Sequence, residues 1–133
     1  MIKHLKTLGG YALILAAGLA VGVAVAKAPA LFKKEFVQGD YSAYLAEHKA
    51  KVVLYGTETC PYCAKARAYF KENGIAYADL DVGKPGQVRD EFVKLGGSGV
   101  PLLLIGDRRI EGFNPNAINS ALKADAERVA ARN

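Results

Sequence analysis

From Thr7 to Ala26 the chain runs for twenty residues without a charged side chain, and Ala, Leu, Val and Gly fill most of it. A surface helix of a globular protein would show a polar stripe; this run has none. At 1.5 Å per residue it makes a helix of about 30 Å, the thickness of a bilayer's hydrocarbon core. It therefore predicts a transmembrane helix. Beyond Gly39 the pattern changes to short apolar runs divided by polar turns. Asp40 to His48 reads as a short helix capped by Asp40, with Tyr41, Tyr44, Leu45 and His48 on one face. Lys51 to Tyr55 reads as a strand, and Pro61 to Asn73 as a helix closed by Gly74. Ile75 to Asp81 alternates as a strand, and Pro85 to Leu95 places Val88, Phe92 and Leu95 on one helical face.

Gly96-Gly97-Ser98-Gly99 then reads as a flexible loop. Val100 to Ile105 is a buried strand, Gly106-Asp107 a tight turn, and Arg108 to Glu111 the returning strand of a hairpin. Asn114 and Pro115 start a last helix whose inner face holds Ile118, Leu122 and Val129. The order β-α-β-α-β-β-α predicts an α/β domain. Its sheet is four-stranded and mixed, with helices on both faces, behind a membrane helix.

Charge sharpens this division. Residues 1–35 carry five Lys against one Glu, a net +4, and the other 98 residues carry only +1. The basic character belongs to the segment beside the apolar run, which points to a membrane surface and away from nucleic acid. The chain divides into residues 1–35, anchor and linker, and residues 36–133, the globular domain. Ala24-Val25-Ala26 before Lys27 also fits an export-signal cleavage site. The apolar run exceeds the usual signal core of about 7–15 residues, which favours a retained anchor. Lys3 and Lys6 on one flank balance Lys27, Lys33 and Lys34 on the other, so the positive-inside rule discriminates little. The short basic start resembles an export signal. It places a single-pass protein in a membrane such as the bacterial inner membrane, with its domain on the periplasmic side.

The only two cysteines lie in Thr59-Cys60-Pro61-Tyr62-Cys63, where the strand hands over to the helix. Pro61 suits the first helical position, because its missing N–H would be unpaired there anyway. Cys60 then sits at the N-cap, facing free amides and the positive end of the helix dipole. Both favour thiolate, and thiols in such motifs have pKa values lowered to about 3.5–7. Cys60 is the expected nucleophile and Cys63, one turn on, the resolving thiol. A structural disulfide is the duller alternative, although so short a loop gains little from closure. A metal site needs two further ligands, and His4 and His48 are both remote in sequence, so no metal is expected. A module in which two chains share an iron–sulfur cluster is the rival of another class.

The strand, Cys60-Pro61-Tyr62-Cys63, the helix and Val100-Pro101 opening a later strand resemble a glutaredoxin, of the thioredoxin-fold superfamily. The resemblance covers about residues 50–124. It implies a thioredoxin-like fold and thiol–disulfide exchange without a bound cofactor. It further implies a cis peptide bond at Pro101 and a Val100 backbone that pairs with substrate like an added strand. By the same resemblance Tyr62, Val100 and Pro101 contact substrate, with Pro61, Gly112 and Phe113 in support. Substrates would be protein disulfides or glutathione mixed disulfides. The electron donor would be glutathione or a thioredoxin-reductase-type system.

The sequence departs from that family twice. Thr57 stands where glutaredoxins carry Lys, and Glu111-Gly112-Phe113-Asn114-Pro115-Asn116 lacks the Asp pair that helps hold glutathione. The Gly-Phe version is similar to the glutaredoxin-like hydrogen donors of ribonucleotide reductase. Arg67 and Lys65 are the candidate replacement cations.

Overall fold

The computed structural model describes residues 34–133; the expected membrane helix, Lys3, His4, Lys6, Lys27 and Lys33 lie outside the described residues. Among the described residues no helix is long and apolar enough to cross a membrane. Glu35–Asn133 forms one compact unit. Its elements are β1 (Val37–Gln38), α1 (Ser42–Glu47), β2 (Val52–Gly56), α2 (Pro61–Glu72), β3 (Ala78–Asp81), α3 (Gln87–Lys94), β4 (Leu102–Ile105), β5 (Arg108–Glu111) and α4 (Pro115–Arg132).

The sheet has five strands, not the expected four, in the order β1-β5-β4-β2-β3. Only β2 and β3 run parallel; the other neighbours are antiparallel. The added strand, β1, falls at the very start of the domain, ahead of the first expected element. Its two exposed residues pair with Arg109 and Arg108. Asp107 secures it by accepting from the Gly39 N–H through its carbonyl at 2.9 Å and from Gln38 Nε2 through its carboxylate at 2.6 Å. Two exposed residues carry no alternation, so no pattern announced them.

Alternation along the strands divides the core into two layers. Val52, Leu54, Leu103, Ile105 and Ile110 face α2 and α4, meeting Ala66 and Phe70 on one and Ala117, Ile118 and Ala121 on the other. Val53, Tyr55, Leu102 and Leu104 face the opposite way, toward Tyr44 and Leu45 of α1 and Val88 and Phe92 of α3. Fully burying one such aliphatic side chain contributes about 1.5–3 kcal/mol, so β4, four buried residues in a row, anchors both layers. The expected inner face of α4 holds in part. Ile118 is buried and Leu122 packs half-buried against the core as expected, joined by Ala117 and Ala121, whereas Val129 is 44% exposed.

Local chemistry sets the ends of the elements. After α2, Gly74 adopts φ +63°, its N–H donates to Lys71 O at 3.3 Å and Ile75 N–H donates to Phe70 O at 2.8 Å. This is a Schellman closure, and it consumes residues 74 and 75. For that reason β3 starts at Ala78 and not at Ile75. Asp40 lies one residue ahead of the α1 N-cap position, where its carboxylate accepts from Ser42 N–H at 3.0 Å and Ser42 Oγ at 2.6 Å.

Candidate active site

The turn from β2 into α2 follows from three residues. Gly56 ends the strand where a Cβ would meet Cys63 Sγ at 3.0 Å and Leu54 Cδ2 at 2.8 Å, so only glycine lets the helix start pack this closely. Cys60 is in the extended region (φ −82°, ψ 117°) and Pro61 takes the first helical position. Cys60 Sγ then accepts from Cys63 N–H at 3.3 Å, as a capping side chain does. Both cysteines are free thiols; Cys60 is partly exposed and Cys63 is fully buried one turn below it.

The two sulfurs differ in acidity. Partial burial of Cys60 opposes ionisation, but hydrogen bonds from the Cys63 thiol and the Cys63 and Tyr62 amides, with the Arg67 charge, outweigh it and lower its pKa. Burial pushes the Cys63 thiol up to about 11, and its hydrogen bond to Cys60 adds to that. The proton therefore leaves Cys60 first. This asymmetry suits one sulfur to attack and the other to wait.

β4 completes the site. The Val100–Pro101 peptide bond is cis. Val100 O lies 3.6 Å from Cys60 Sγ, and Pro101 is buried beneath it. Gly112 N–H donates to Pro101 O at 2.7 Å, and the Phe113 ring packs edge-on against Tyr69 at 5.8 Å between centroids. So Cys60, Cys63, Val100 and Pro101 come together and Gly112 is bonded to Pro101, while Phe113 packs into the core layer beside α2. Tyr62 projects outward, 57% exposed, with Lys65 Nζ 5.1 Å from its ring centroid.

The two candidate cations are both engaged. Arg67 holds the Asp79 carboxylate through Nε at 2.7 Å and a terminal nitrogen at 3.0 Å, and its other nitrogen donates to Thr57 O at 3.1 Å. Glu58, Arg67, Asp79 and Asp81 line a cavity of about 430 Å³ next to the motif, three carboxylates around one paired guanidinium. Asn114 is engaged as well: its Oδ1 accepts from Asn116 and Ala117 N–H at 3.0 and 3.2 Å.

Three groups escape a reading of the sequence. Glu91 is a buried carboxylate of α3 that accepts from Tyr55 Oη at 3.0 Å and bonds His48 Nε2 at 2.8 Å. Burial and that carboxylate push the Tyr55 phenol upward. Among the described residues Glu47, His48 and Glu91 are the one grouping with three metal-type ligand atoms, and neither cysteine belongs to it. Arg109 and Glu111 of β5 reach the loop ahead of Val100; Glu111 Oε1 accepts from Ser98 N–H, Ser98 Oγ and Gly99 N–H at 2.9, 2.7 and 2.9 Å. Partners 12 to 43 residues apart leave no local spacing that names them in a sequence.

Comparison with known proteins agrees with this geometry. Residues 52–110 match the glutaredoxin family model. A glutaredoxin-like 8.6 kDa protein of the rubredoxin operon of Clostridium pasteurianum is 34% identical over 73 residues, 54% of this chain and 97% of that protein. Glutaredoxin 3 of Escherichia coli K12 is 34% identical over 64 residues, 47% of this chain and 77% of that protein. The crystal structure of a glutaredoxin from Archaeoglobus fulgidus superposes with a TM-score of 0.51 at 23% identity, over 63% of this chain and 97% of that one, and shows the same fold.

Proposed function

The chain belongs to the glutaredoxin family of thiol oxidoreductases, and on that premise we propose that Cys60 and Cys63 reduce disulfides in protein substrates from the surface of a membrane. The observation that carries this reading is the capping sulfur: Cys60 Sγ faces the amides of its own helix, with Cys63 buried one turn below. The Cys60 thiolate attacks one sulfur of the substrate disulfide. A Cys60–substrate bond forms as the substrate's own S–S bond breaks, and the departing thiolate takes a proton from water. Cys63 then gives up its proton and attacks Cys60 Sγ. The Cys60–Cys63 bond forms, and the second substrate thiolate leaves and is protonated. Two electrons have passed to the substrate, and a thiol donor restores the enzyme. Throughout, the Val100 backbone offers an extended edge on which a substrate segment pairs.

This reading ranks protein disulfides above glutathione mixed disulfides. Thr57 carries no charge, Arg67 is committed to Asp79, and Asn114 caps its own helix. Electrons come from a thioredoxin-reductase-type donor or from glutathione. The uncharged run 7–26 supports tethering to a membrane such as the bacterial inner membrane, and the short basic start before it favours the domain on the periplasmic side. Trapping tests the chemistry: Cys63→Ser should accumulate mixed disulfides with substrates, visible on non-reducing gels, that Cys60→Ser does not form. Adducts on the Cys60→Ser protein alone would reverse the two roles. Labelling of Cys60 in intact cells by a membrane-impermeant maleimide checks the side. Labelling only after lysis would move the domain to the cytoplasm.

A further inference from the structure

The backbone on which a substrate would pair is reached through an unusually permissive stretch, Gly96-Gly97-Ser98-Gly99. Three glycines in four residues lose a great deal of conformational freedom on being fixed. Its first half is fixed by the end of α3: Gly96 has φ +71°, its N–H donates to Val93 O at 2.9 Å and Gly97 N–H donates to Phe92 O at 2.9 Å. Its second half has no such closure. Instead it is held from β5, whose residues 109 and 111 point to the same side of the sheet because side chains alternate along a strand. Arg109 steadies the first half, donating to Leu95 O at 2.8 Å and Gly96 O at 3.1 Å. Glu111 Oε1 takes both remaining amides, of Ser98 and Gly99, together with the Ser98 hydroxyl. Val100 follows at once, with its carbonyl 3.6 Å from Cys60 Sγ.

We propose that Glu111 is a positioning residue for the thiol site: its carboxylate gathers Ser98 and Gly99 and thereby fixes the Val100 edge on which substrate pairs. This rests on the oxidoreductase reading for its function but not for its geometry. Three donors converge on one carboxylate oxygen, the kind of charge-assisted cluster that is stronger than neutral hydrogen bonds. The Ser98 hydrogen bonds likewise hold the Glu111 carboxyl below its usual range, against partial burial, with Arg109 adding to the effect. Glu111 touches neither sulfur in this arrangement. Its loss should loosen the substrate edge and leave the intrinsic reactivity of Cys60 as it was.

The test compares wild type, Glu111→Ala, Glu111→Gln and Ser98→Ala in three measurements: kcat and KM on a peptide disulfide, Cys60 alkylation by iodoacetamide, and hydrogen exchange at Ser98 and Gly99. Iodoacetamide is small and needs no strand to pair with. Glu111→Ala should raise KM about tenfold, with kcat and the alkylation rate changed by no more than about twofold, and should speed exchange at both amides. Glu111→Gln, which keeps an acceptor oxygen, should recover most of the loss, and Ser98→Ala, which removes one of the three donors, should lie between. A wild-type KM with unchanged exchange in a folded Glu111→Ala protein overturns the proposal, as does an equal fall in alkylation and turnover. If Glu111→Ala does not fold, Glu111→Gln and Ser98→Ala decide: wild-type KM and exchange in both overturn it. If wild type itself turns over no disulfide, the oxidoreductase reading fails, and the exchange rates alone decide whether Glu111 holds the loop.

Discussion

Helices α2 and α4 both start with proline at their first position, behind a residue in extended conformation whose side chain caps the free amides. At α4 the cap is Asn114, a neutral amide whose oxygen accepts two N–H groups at 3.0 and 3.2 Å. At α2 it is Cys60, a thiol whose sulfur accepts the Cys63 N–H at 3.3 Å and faces the Tyr62 amide. The Asn cap has one protonation state and nothing left to offer. The Cys cap has two, and the same amides that would close a helix now favour its charged form. One device thus ends as structure at one helix and as chemistry at the other, and the choice of capping atom decides which. The contrast also bears on glutathione. Glutaredoxins carry an Asp pair where this chain has Asn114 and Pro115, and the carbonyl of Asn114 is turned back on its own helix.

Removing each cap separates the two roles, and the expected effects differ greatly in size. Cys60→Ser should abolish disulfide reduction while leaving the fold intact, because a hydroxyl still caps; circular dichroism and a turnover assay read the two together. Next in size is glutathione discrimination. Each missing charge-assisted contact is worth about 1.5–3 kcal/mol, so two of them lower affinity by about two to four powers of ten. Side-by-side assays of a glutathione mixed disulfide and a protein disulfide measure it, and ordinary glutaredoxin rates on the first would contradict it.

The pH dependence should differ from that of a free thiol by less. The Cys60 pKa is lowered, so thiolate is present above that lowered value and is lost as pH falls through it. Iodoacetamide alkylation of Cys60 should therefore reach its plateau below the pH of about 8.5 that governs an ordinary cysteine. Cys63, with its thiol near 11, should remain unreacted over the same range. The smallest effect belongs to the other cap. Asn114→Ala should cost about 1 kcal/mol of stability, read from the urea midpoint, and should leave the alkylation profile unmoved. A shift in that profile would mean that the two helix starts are coupled.

Much of this was legible in the chain because it is written in short spacings. Cys60-Pro61, Asn114-Pro115, Gly74 and the Gly106-Asp107 turn each act within one turn of their neighbours, and their elements form where those residues predict. Cys63 could be assigned below Cys60 for the same reason. The groups that were not legible act across the fold. Glu91 meets Tyr55 36 residues back in sequence; its place between Val88 and Leu95 on the inner face of α3 marks it as inward-facing, unlike Asp90, but nothing local names its partner. Arg67 read as a free cation because Asp79 arrives only once β3 lies beside β2. Glu111 read as an ordinary strand residue because its loop partners come from the far end of α3. β1 went unread because two residues carry no period.

That short strand has a consequence for how copies of this protein meet one another. A sheet's outer strands expose unpaired backbone groups that invite a neighbour to dock edge to edge. At one margin β1 covers β5 and offers only two residues of its own, too few for a lasting ladder. At the other, β3 is four residues long and puts Asp79 and Asp81 on its exposed positions. A second molecule adding there would set carboxylate against carboxylate, and Asp79 is already fastened to Arg67. Both margins are thereby poor templates for self-association.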